Sequence, residues 1–141
     1  MSQNILPTDK ATRKAMPIAR GVLDYFPRAL AYVAYVSKVG NDQHNPGEPL
    51  HWAKDKSTDQ ADTIVRHLIE RGGVDDDGVR HSGKLAWRAL ALLETELESI
   101  AEPEDWWPDV TAVHGPQPAP APMPQPVGKW VDAVLQAGQG Y

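Results

Sequence analysis

The sequence predicts an all-α protein: a small bundle of three main helices with a long functional loop, then a proline-rich linker and a short C-terminal helix. Three observations predict it. An apolar run opens on Pro27, an amphipathic stripe follows Ser57, and a leucine-rich stretch of the same period fills 80–100. The boundaries that follow are a loose arm over 1–20, a helical domain over 21–102, a Trp patch and linker over 103–127, and a docking helix over 128–141.

Residues 1–20 are polar and mixed, with Pro7 and Pro17. Pro27 suits a first helical turn, where its missing N–H is not needed. The run from Arg28 to Val39 is apolar on nearly all sides and meets Gly40, a common helix terminator. A helix apolar all round is expected to be central. Residues 40–56 hold two glycines, two prolines and several turn formers, so they read as a loop, and a loop of this length in a compact domain points to function.

Ser57 and Gln60 have capping-box spacing, which starts the second helix. Its expected buried stripe is Ala61, Ile64, Val65, Leu68 and Ile69, and Gly72-Gly73 ends it. The acidic turn Asp75-Asp76-Asp77-Gly78 is expected to cap the third helix, because carboxylates favour helix N-termini. That helix spans Arg80 to Ile100 and buries Leu85, Ala86, Ala89, Leu90, Leu92, Leu93 and Leu97. Further on come Trp106-Trp107, six prolines between Gly115 and Val127, and an apolar segment over 128–138 too short to be stable alone. That segment is expected to dock on its own domain or on a neighbouring subunit of a homo-oligomer.

Composition narrows the function classes. No apolar run approaches the roughly 18 residues of a spanning helix, so no membrane role is expected. The first fourteen residues have no continuous apolar stretch like a secretory signal, and the expected address is cytoplasmic. With no cysteine, disulfides, thiolate metal sites and cysteine nucleophiles are excluded. The formal charge of −5 argues against general nucleic-acid binding, which relies on a basic face. A small anionic ligand held by a few local cations remains compatible.

The polar residues sort by helical projection. On the second helix Asp59, Thr63, Arg66 and Glu70 lie opposite the apolar stripe, while Asp62 and His67 flank it. On the third, His81 and Arg88 line one border of the apolar face. Two readings stand together: Asp59, Asp62 and Arg66 as solvated ion pairs with His67 and His81 as half-buried structural histidines, or a ligand site. In the second reading Asn41, His44, Asn45 and Trp52 from the loop face Arg66, His67, His81 and Arg88. Indole or imidazole stacks on a base, asparagine reads its edge, and arginine grips phosphate. Tyr32 and Tyr35 are expected in the core. No phosphate loop, paired-histidine zinc helix or serine elbow is present. Asp59, Asp62 and Asp77 are the candidate catalytic carboxylates. With His67, His81 and Glu94 they offer ligands for a magnesium or similar ion.

Several of these segments are ordered and spaced like a known family. Pro17 to Pro27, Gly40-Asn-Asp-Gln-His-Asn-Pro-Gly47, Leu50-His-Trp52, Arg66-His-Leu68, Asp77-Gly78 with His81, and Trp87 to Glu94 together resemble the phage-associated dATP/dGTP diphosphohydrolase N-terminal domain over roughly residues 14–98. The resemblance implies an all-α domain, nucleotide chemistry, a phage or prophage source and a host-cell cytoplasmic setting. By position it implies site residues Asn41, His44, Trp52, Arg66, His67, Asp77 and His81. The more distant MazG-related all-α hydrolases hold magnesium with a Glu-Glu-x-x-Glu set and a Glu-x-x-Asp set, and neither occurs here. Glu94, Glu96 and Glu98 alternate and splay around their helix.

Three functions follow as expectations. The first is Mg²⁺-dependent release of pyrophosphate from a purine (deoxy)nucleoside triphosphate. The second is a non-catalytic sponge for a nucleotide, including a cyclic immune signal. The third is an interaction module acting through Trp106-Trp107 and the proline-rich tail.

Overall fold

The computed structural model describes residues 5–100 and Trp107. The described part is all-α: α1 (Lys10–Lys14), α2 (Pro27–His44), α3 (Gln60–Ile69) and α4 (His81–Glu98), with a π turn at Ala19–Leu23 and a 3₁₀ turn at Lys54–Lys56. By its internal contacts the chain separates into Met1–Val110 and Thr111–Tyr141. The second unit lies outside the described residues, and so do the proline-rich linker and the expected C-terminal helix. Of the Trp patch, only Trp107 is described, and it is half-buried. No helix among the described residues is long and apolar enough to cross a membrane.

The arm is more ordered than its composition implies, because the Asp9 carboxylate accepts from the Thr12 N–H and hydroxyl at 2.8 Å and caps α1. Pro27 opens α2 as expected. Gly40 does not end that helix. Its φ is not among the positive values, which fall at Gly47, Gly72 and Gly78. The helix therefore runs one turn further, with a Lys38–Asp42 pair across the glycine. The loop begins at Asn45. Asn41, expected in the loop, is a buried helical residue that clips it in place: its Nδ2 donates to the Glu48 carbonyl at 3.2 Å and its Oδ1 accepts from the His51 N–H at 3.0 Å.

The capping box at Ser57 is not formed. α3 starts at Gln60, and its N-cap residue Asp59 makes no side-chain cap bond. Both box residues are turned to another task. Ser57 Oγ and Gln60 Oε1 accept from Arg88 Nη1 at 2.5 and 3.2 Å. The acidic turn does not cap α4 either. Asp75 and Asp77 both reach Lys84, one turn inside the helix, at 2.6 and 2.7 Å. A charged ammonium holds a carboxylate more strongly than a backbone N–H does. Asp77 Oδ1 also accepts from the Val79 N–H, and the Tyr32 hydroxyl accepts from the Arg80 N–H.

α4 is the central element, packed on both α3 and α2, whereas α2 and α3 meet little. The helix that is apolar all round is therefore not the one in the middle, and Tyr35, expected in the core, is half-exposed. Close approach of α2 to α4 depends on Gly83: a Cβ there would stand 2.5 Å from Tyr32 Cε1. The buried apolar side chains of the described residues are Val79 and Ala91; buried with them are Asn41, Gln60, Thr63 and His81. Most of the expected stripe of α3 faces outward, with Val65 52%, Leu68 45% and Ile69 71% exposed, while Ile64 is half-buried.

Candidate functional site

A cleft of about 570 Å³ opens between the C-terminal half of α2, the loop after it and the first half of α4. Asn41, His44, Asn45, Trp52, His67, Asp77 and Arg88 line it, so seven of the expected site residues converge. Arg66, Asp59 and Asp62 do not. Arg66 and Asp59 bond each other at 3.2 Å on the exposed side of α3, and that pairing lowers the Asp59 pKa. Asp62 is exposed. The three candidate carboxylates are therefore not gathered around one point. His81 is buried behind the cleft wall, against His67. Both ends of the Asn41 amide are taken by the loop, so it shapes the cleft and is not placed to read a base.

The floor is aromatic. Trp52 and Trp87 meet edge to face, with centroids 5.5 Å apart and planes at 77°. Lys54 Nζ lies 4.8 Å from the Trp52 ring centre, and the Arg88 guanidinium 5.6 Å from that of Trp87. Trp87 sits on the inner side of α4 because α2 and α3 both press on that helix. Trp87 was not among the expected buried or site residues, because its place in a leucine-rich run gave no separate signal.

The cations of the cleft differ in what holds them. Lys84 sits between two carboxylates. Burial alone would lower its pKa, but the bonds from Asp75 and Asp77 outweigh that and raise it. Asp77 is held at about 2, chiefly by Lys84 and then by Gln43, whose amide donates to it at 3.0 Å. Arg88 is different. Among the described residues its hydrogen bonds go to the neutral acceptors Ser57 and Gln60, so the guanidinium is fixed in place without its charge being cancelled. Lys84 and Ser57 were missed as site residues. Lys84 was readable in principle, since His81, Lys84 and Arg88 share one border of α4 at i, i+3, i+7. Ser57 was masked by its apparent capping role.

At the edge of the cleft, His67 Nδ1 and His81 Nδ1 stand 3.0 Å apart, with ring centres 5.3 Å apart. Glu70 Oε2 is 3.4 Å from His81 Nδ1. Burial first, then the neighbouring His81 and Lys84, push the His67 pKa below its usual value. Ligand atoms of His67, Glu70 and His81 lie within 4.8 Å of one another, and this set could hold a metal ion. Compared with protein-family models, curated proteins and solved structures, the chain matches none.

Proposed function

We propose that the cleft binds a purine (deoxy)nucleotide in the cytoplasm, with phosphate at Arg88 and Lys56 and the base against Trp52 and His44. The single observation that carries this is Arg88. A guanidinium anchored by neutral side chains beside two indoles offers an uncancelled positive charge next to a stacking surface. The resemblance to the phage diphosphohydrolase domain supports the same ligand class. Calorimetric titration of the full chain with dATP, dGTP, ATP and GTP tests it. Saturable binding of a purine nucleotide is expected, and heats indistinguishable from buffer for all four would end the proposal.

Binding without cleavage is the reading that the carboxylate geometry supports best. Of the three candidate catalytic carboxylates only Asp77 reaches the cleft, and it is committed to Lys84. Cleavage with Mg²⁺ is the second reading, favoured by the resemblance and by Asp77 in the cleft. Recovery of intact triphosphate after incubation with MgCl₂ supports the first, and release of monophosphate and pyrophosphate supports the second.

The working unit in this reading is a homo-oligomer. α3 and α4 run antiparallel, since Gln60 meets Arg88 at one end and His67 meets His81 at the other. Projected at about 100° per residue, Val65 and Leu68 on α3 fall on the same side of this pair as Ala89 and Leu93 on α4. All four are exposed, and two buried apolar side chains among the described residues are a thin core for a domain of this size. A second copy applying the same face by two-fold symmetry would cover it. Light scattering on the full chain is expected to give at least twice the monomer mass.

A further inference from the structure

We infer that His67, Glu70 and His81 form a binding site for an imidazole-preferring divalent transition ion of the zinc class, at the edge of the cleft that His67 lines. The local structure builds it from three fixed points. His67 and Glu70 are three residues apart and so project from one side of the end of α3. His81 is the first residue of α4. The turn between them is closed by the bridge of Val74 with Arg80, by positive φ at Gly72 and Gly78, and by fully buried Val79. The His81 ring edge packs on Gly73, where a Cβ would lie 3.4 Å from Cδ2, so the ring is held with Nδ1 toward His67.

The spacing fits one ion between the two imidazoles. Two nitrogens bound at ~2.0–2.1 Å to a tetrahedral zinc lie roughly 3.3 Å apart, close to the 3.0 Å seen here. Two neutral nitrogens and one carboxylate suit zinc and its neighbours, whereas magnesium takes oxygen ligands and keeps most of its waters. Three protein ligands also leave a position open, as in sites where zinc holds a water or a substrate oxygen. This set shares His67 and His81 with the ligands that the sequence offered for a magnesium or similar ion, but it takes Glu70 in place of the aspartates and Glu94, and it stands or falls without the nucleotide reading.

The test uses the full chain, prepared without a histidine tag, stripped with EDTA and dialysed against ZnCl₂ or MgCl₂. Elemental analysis is expected to find zinc retained in proportion to protein, and magnesium not retained. Co²⁺ in the same protein should give the visible absorption of a four-coordinate site. Glu70→Ala and His67→Gln should weaken zinc binding at least as much as the roughly 10–100-fold that outer-shell changes cost, with helical circular dichroism unchanged. His44→Ala should leave retention as it was. Absence of zinc in the unsubstituted chain, equal retention in Glu70→Ala and His67→Gln, or loss in His44→Ala would each overturn the inference. Nucleotide titration of the stripped protein is a separate readout, so failure of the ion site and failure of nucleotide binding cannot be confused.

Discussion

The two sides of α3 are opposite in character and opposite to what their composition leads one to expect. The side turned to α4 carries Gln60, Thr63 and His67; the side turned away carries Ala61, Val65, Leu68 and Ile69. Hydrophobic burial is the larger force per residue, so a polar inner side needs compensation. It gets this from Arg88, which Gln60 and Ser57 hold, from the Thr63 hydroxyl, which bonds Arg66 at 2.7 Å and Asp59 at 3.1 Å, and from the imidazole pair. No buried side-chain nitrogen or oxygen lacks a partner among the described residues. An amphipathic stripe thus identifies a face needing cover without saying whose chain covers it.

The largest effect is expected on the outer side. Val65→Asp with Leu68→Asp puts two charges where two apolar side chains would be buried by a second copy. Burial of each is worth ~1.5–3 kcal/mol and a two-fold dimer would bury four of them, so the self-association constant should fall by roughly 10⁴-fold or more. Sedimentation velocity reads this as a shift to monomer. If the mass stays the same while the helices persist, α3 does not face a second copy.

On the inner side, Arg88→Ala removes the donor shared by Ser57 and Gln60. Hydrogen bonds to a charged group are worth ~1.5–3 kcal/mol, so nucleotide affinity should fall by about 10–100-fold. Arg88→Lys should recover only part of it, because a point charge cannot reproduce the fork. An unchanged Kd for both variants would remove Arg88 from the site.

Acid acts on the network beside that side. Asp77 is held at about 2 in the fold, against an ordinary value of 3.8. A carboxylate with a depressed folded pKa stabilises above its unfolded value and loses that contribution as pH falls through the folded one. Stability should therefore drop by about 1–2 kcal/mol between pH 4 and 2, seen as a lower denaturant midpoint. Asp77→Asn should flatten this part of the profile.

The smallest effect belongs to the exposed pair on α3. Asp59→Asn breaks the bond to Arg66, whose side chain is 61% exposed, and solvent screening leaves such surface pairs with little effect on stability. Melting temperature and nucleotide affinity should both stay near those of the unsubstituted chain. A clear loss of binding would restore Asp59 to the site.

Much of the architecture was legible because local rules suffice for it. Pro27 opens its helix, the Gly72-Gly73 break and the third helix stand where the pattern placed them, and seven expected residues line one cleft. The errors share one cause. Gly40, the Ser57–Gln60 pair and Asp75–Asp77 are each valid local signals for a stop or a cap. Each was overruled by a partner outside the local motif: the loop clipped by Asn41, the Lys84 ammonium one turn inside α4 and, far along the chain, the Arg88 guanidinium.

The sequence by itself determined that the described chain is helical, where its helices roughly lie, and which segments supply aromatic and cationic groups. Periodicity and turn chemistry are properties of neighbours along the chain, so they can be read there. Only the tertiary structure decided that α4 is central, that α3 turns its polar side inward, and that His67 meets His81 across the turn. Those outcomes depend on which distant donor reaches which acceptor, and hydrogen-bond geometry is settled in space, within a few tenths of an ångström, after the helices have packed.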